Sequence, residues 1–109
     1  MKARVELSCA AYPLDKMWID VTLNDKQFID VSEDIFGAGV ITYAGDARDY
    51  HFHLYENAEA VAGIDWKDKE SPAGELHILG KRVVKGANFQ FVDSRERCSY
   101  SVTNVIPFS

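Results

Sequence analysis

Arg48-Asp49-Tyr50-His51-Phe52-His53-Leu54-Tyr55-Glu56 separates its side chains by parity more cleanly than any other stretch of the chain. Tyr50, Phe52 and Leu54 fall on one side; His51, His53 and Tyr55 fall on the other. That is the period of a β-strand with one face on a core. Its opposite face carries two of the three histidines of the protein.

The same alternation recurs on both sides of this strand. Val5, Leu7, Cys9 and Ala11 alternate with Arg4, Glu6 and Ser8. Met17, Ile19, Val21 and Leu23 alternate with Trp18, Asp20 and Thr22. Asn24-Asp25-Lys26 predicts a hairpin turn and Gln27 to Val31 a return strand. Ser32 to Gly37 has a capping residue, early carboxylates and a closing glycine, which predicts one helical turn before a strand over Val40 to Ala44. Between Asn57 and Trp66, the positions Ala60, Ala62, Ile64 and Trp66 fit a strand, and the alternative is a capped helix. After the polar loop over 67–74, Glu75 to Lys85 and Asn88 to Asp93 predict a second hairpin, and Arg97 to Ile106 the last strand.

Seven to nine short strands joined by close turns predict a mainly β chain. The expected architecture is a single antiparallel β-barrel or β-sandwich over residues 1–109, with at most one or two short helical turns. A chain of 109 residues, 47% hydrophobic and 27% charged, matches one folded domain with one core. No apolar run approaches the roughly 20 residues that cross a bilayer, and Lys2 and Arg4 stand where a secretion signal needs apolar residues. The expectation is a cytoplasmic protein. Cys9 and Cys98 share inward parity with their strands and are expected as buried free thiols, although neighbouring first and last strands would bring them close.

The net charge of −5 is unevenly placed. Leu14 to Glu70 holds thirteen acidic and five basic residues, whereas the flanking segments are basic. This balance argues against non-specific nucleic-acid binding and suits a basic partner. Lys81, Arg82, Lys85, Arg95 and Arg97 surround a hairpin with Phe89 and Phe91, a composition that can hold a single strand of nucleic acid; the competing account places both rings in the core.

Three functional expectations follow. The first is a non-catalytic binding module in which Trp18, Asp20, His51, His53 and Tyr55 form an acidic, aromatic strand face for a protein partner or a second copy. The second is a metal site. His51 and His53 project side by side from one strand, and His77 supplies a third imidazole for one divalent transition metal. Gly45 followed after five residues by His51-Phe52-His53, and Pro72-Ala73-Gly74 followed after two by His77, resemble the two motifs of the cupin family of jelly-roll barrels. The resemblance implies Glu56 as a further ligand and a small-molecule enzyme. The chain departs from the pattern in the His53–Glu56 spacing, in the shortness of the segment between the motifs, and in Lys81 at an expected asparagine. The third is a cofactor-free small-molecule pocket inside a barrel, lined by Tyr43, Tyr50 and Phe52.

Overall fold

A computed structural model describes residues 1–67, 74–93 and 97–108, with Ala58 described in its backbone alone. Among these residues the chain forms eight strands and no helix. They are β1 (Lys2–Cys9), β2 (Lys16–Thr22), β3 (Ile35–Thr42), β4 (Asp49–Ala58), β5 (Val61–Trp66), β6 (Gly74–Leu76), β7 (Asn88–Asp93) and β8 (Arg97–Pro107). Each strand pairs antiparallel with the next, and β8 pairs with β1. The result is a closed barrel in which every strand's neighbour in space is its neighbour in sequence, apart from the seam. A jelly roll is built from two Greek keys. The sequential order found here is that of an up-and-down barrel, so the cupin resemblance does not extend to the fold.

The inward set follows from the alternation. Ala3, Val5, Leu7 and Cys9 meet Met17, Ile19 and Val21 across β1 and β2, and Phe52 and Leu54 continue the set on β4. Eight strands enclose a space that side chains can just fill. Phe52, Phe89, Phe91 and Tyr100 occupy it, each 2% exposed or less. Gly39 lies between Ile19 and Phe52 on the inner side of β3. A Cβ there would collide with the Trp18 carbonyl oxygen and come within 2.8 Å of the Phe52 ring and 2.9 Å of Ile19. The missing side chain is the space into which that ring packs.

Cys9 and Cys98 are joined in a disulfide rather than standing as free thiols. Closure explains the pairing: β1 and β8 are neighbours, with Cys9 opposite Tyr100. Two inward side chains near the same end of the seam therefore meet across 89 positions of sequence.

Three local expectations are corrected. Ile35 and Phe36 open β3, with Phe36 buried at a bulge, so Ser32 to Gly37 is not a helical turn. Both ladder partners and the core reward the extended form. Gln27 to Val31 makes only the isolated bridge Leu23–Ile29. Here the Asn24 side chain accepts the N–H groups of Lys26 and Phe28, and Gln27 takes a positive φ of 70°, which folds the segment into a loop. Finally, β6 stops at Leu76 instead of reaching Lys85, because Ile78 and Leu79 are both buried and adjacent, and Gly80 turns with φ of 74°. Two consecutive inward residues break the strand period.

Residues 57–66 resolve as strand: β4 turns at Glu59-Ala60 and returns as β5. Of the polar loop at 67–74, residues 68–73 lie outside the described residues. No helix among the described residues is long and apolar enough to cross a membrane.

Candidate functional site: a cleft on the outer wall

The outer faces of β1 to β5 line up in register. Arg4, Asp20, Ala38, His53 and Asp65 form one row across five strands. Glu6, Trp18, Val40 and His51 form the next. The residues expected to face a partner thus share one wall, but β3 runs between β2 and β4. Asp20 and His53 stand two strand spacings apart, roughly 10 Å. The residue between them is Ala38, whose small side chain leaves a cleft.

The cleft encloses about 530 Å³. Gly37 and Ala38 form its floor with Ile35 and Phe36; Asp20, Thr22, Lys2 and Phe108 stand on one side and His53 on the other. Asp30, Ser32 and Glu33, from the connection between β2 and β3, form the lip. Ile35 is 52% exposed and Phe108 44%, both large apolar side chains. Asp20 is already engaged: Arg4 Nε and Nη2 donate to its two carboxylate oxygens at 2.8 and 2.9 Å. That hydrogen bonding holds the Arg4 pKa above its ordinary value. The guanidinium also lies 3.8 Å from the centre of the Trp18 ring. With Asp20 paired, the lip carboxylates Asp30 and Glu33 outnumber Lys2 among the described lining residues. An apolar floor under an acidic lip favours a ligand with a cationic group beside apolar ones.

The expected face is only partly this site. Asp20 and His53 line the cleft. Trp18 sits one register step away beneath Arg4. Tyr55 turns toward β5, where its ring lies over Gly63, so that a Cβ at that glycine would collide with the ring. An outward tyrosine covering a cross-strand glycine has a structural reason to be there. His51 borders a second hollow of about 470 Å³ with Arg48, Asp49, Tyr50, Trp66 and Lys67. Beside it, the Tyr50 hydroxyl donates to Asp46 at 2.6 Å, which holds the Asp46 carboxyl below its ordinary pKa, aided by the backbone N–H of Arg48.

The metal expectation gathers no centre. Among the described residues no three His, Cys, Asp or Glu side chains are grouped to hold a metal ion. His51 lies near the start of β4 and Glu56 near its end, while His77 follows β6 and faces Glu75 at 3.6 Å. Register separates His51 from His77 by two strands and most of the barrel's length. Pro72 and Ala73 of the second motif lie outside the described residues. Phe89 and Phe91 point inward and are buried, which removes both rings from any nucleic-acid surface; Arg95 lies outside the described residues. Of the third expectation, Phe52 is fully buried in packed core, and Tyr43 and Tyr50 contact each other edge to face at 5.7 Å.

Sequence reasoning missed Ile35, Ala38, Glu33 and Phe108. Ile35 and Glu33 were hidden by the helix-cap pattern, and Ala38 carries no chemical signal of its own. Comparison with protein-family models, curated proteins and solved structures gave no match. The fold and the cleft therefore define the protein only as a disulfide-closed, eight-stranded up-and-down β-barrel with an acid-lipped hollow on its outer wall.

Proposed function

We propose that this protein is a non-catalytic binding module that docks a protein segment in the outer-wall cleft of β2, β3 and β4. The segment carries a lysine or arginine next to apolar side chains. The single observation behind this reading is the juxtaposition of exposed Ile35 and Phe108 with Asp30 and Glu33 around a floor kept open by Ala38. The acidic balance of residues 14–70 supports it, since it steers cationic partners. The Cys9–Cys98 disulfide supports work in an oxidising compartment instead of the cytoplasm, where thiol pools keep such pairs reduced.

Selection from a library of displayed random peptides tests the reading. Enriched peptides should combine a basic with an apolar residue, and their affinity should fall about tenfold or more on the variant Ala38→Tyr, which fills the floor from outside the core. Peptides without basic residues, or peptides bound equally by the variant, would refute it.

A further inference from the structure

Ala10, Ala11, Tyr12, Pro13 and Leu14 are five consecutive apolar residues, and all five are exposed. Tyr12 is 63% exposed and Leu14 73%. Exposed apolar runs of this length are avoided on protein surfaces unless they serve a contact. The run is also held in shape. The Cys9 N–H donates to the Asp15 carbonyl at 2.9 Å and the Asp15 N–H to the Tyr12 carbonyl at 2.8 Å. The Asp15 side chain accepts the Ala44 N–H at 2.7 Å, and the Cys9–Cys98 disulfide anchors the base. A tip ordered in advance loses little entropy on docking.

We propose that this tip docks in the β2–β4 cleft of a second copy of the chain, head to tail. The inference rests on the reading of the cleft as a docking site and names its occupant. The match is one of both size and charge. The cleft, at about 530 Å³, lies within the range of pockets that bury a small ligand, and its apolar floor suits Tyr12 and Leu14. Lys16, exposed two residues beyond the tip, offers a cation to the Asp30 and Glu33 lip, while the neighbouring Asp15 carboxylate is turned to the Ala44 N–H. The tip and the cleft also lie toward opposite ends of the barrel, since β1 ends at the tip while Ile35 begins β3 at the other end. One copy can therefore give its tip and receive another at once. A lipid surface fits less well, because two large side chains give little insertion. A single loop in a single cleft makes a weak contact, and a heterologous one adds copies until its rotation closes a ring or without limit.

Sedimentation analysis across concentration tests this, using the whole chain with its disulfide intact. The parent should rise from monomer toward dimer and larger species as concentration approaches about 1 mM, the range of weak contacts. The tip variant Tyr12→Ser with Leu14→Ser should stay monomeric, as should the cleft variant Ala38→Tyr. Glu33→Lys serves as the cleft variant if Ala38→Tyr melts below the parent. Mixing the two variants is decisive, since one keeps a working cleft and the other a working tip: the mixture should form one-to-one dimers and stop there. A parent that is monomeric throughout, a variant that still associates, or a mixture that stays monomeric would each overturn the proposal. If self-association is absent while the peptide selection still finds cleft-dependent basic ligands, head-to-tail docking fails and the binding-module reading stands.

Discussion

The strands β1 to β4 and the region from β5 to β7 build the same wall in different ways. The first four run for 8, 7, 8 and 10 residues; the core side chains of β1, β2 and β4 come from alternation, and β3 departs from it at the bulge that buries Phe36. The later three run for 6, 3 and 6 residues. There the core is completed by Ile78, Leu79 and Val83, buried residues of an irregular connection. That connection is tied to its surroundings by the backbone, with the Val83 N–H donating to the Gln27 carbonyl at 2.8 Å and the Leu79 N–H to the Ala60 carbonyl at 3.2 Å. One half is specified by ladders, the other by side chains that a loop inserts between shorter strands. The difference teaches that a closed barrel tolerates a three-residue strand where buried apolar groups hold its neighbours.

The β1–β8 seam, where the two halves of the chain meet, should show the largest effect. Changing Cys9 and Cys98 together to alanine should cost about 2–5 kcal/mol, as expected when a closed loop of this length is opened, and lower the melting temperature by tens of degrees at most. Reductant should have the same effect on the parent and none on the variant. A loss below about 1 kcal/mol would show that the β1–β8 ladder alone holds the seam.

Ile19 in β2 and Ile78 in the irregular connection are both fully buried. Each change to alanine should cost about 2–5 kcal/mol in chemical unfolding. Equal losses would make the connection part of one cooperative core, whereas a much smaller loss at Ile78 would mark the second half as independently opening. Gly39→Ala probes the first half from the opposite direction: the added methyl meets the Trp18 carbonyl oxygen, which only a backbone shift relieves, and then the Phe52 ring, and it should cost about 3 kcal/mol by overpacking. The same substitution at Gly45, where nothing lies within 4 Å, meets no such ring, and only its positive φ of 82° resists it.

The smallest effect belongs to Asp46. Its folded-state pKa is lowered, chiefly by the Tyr50 hydroxyl, so the interaction stabilises the fold above the ordinary carboxylate range and is lost as pH falls through the folded value. The melting temperature of the parent should exceed that of Tyr50→Phe most at neutral pH, and the gap should narrow in acid. A gap that is constant from neutral pH down to about pH 2 would detach it from the carboxylate.

Much of this was legible in the residues. The inward sets of β1, β2 and β4 follow from alternation, and so does the outward placing of Trp18, Asp20, His51 and His53. Where alternation met a competing local pattern, the local pattern misled: Ser32 to Gly37 has the residues of a capped turn, but Phe36 gains more by entering the core. At Ile78 and Leu79 the period of two breaks in the sequence itself, and β6 ends before it.

The sequence by itself determined that the chain is an antiparallel β domain and which side of most strands faces inward, because strand periodicity is a local property of covalent geometry. Only the tertiary structure decided that the sheet closes, that Cys9 meets Cys98, that His77 stands apart from His51, and that Ala38 separates Asp20 from His53 to open a cleft. Those facts depend on which strands become neighbours, above all β1 and β8 from opposite ends of the chain, and no single strand encodes its partner.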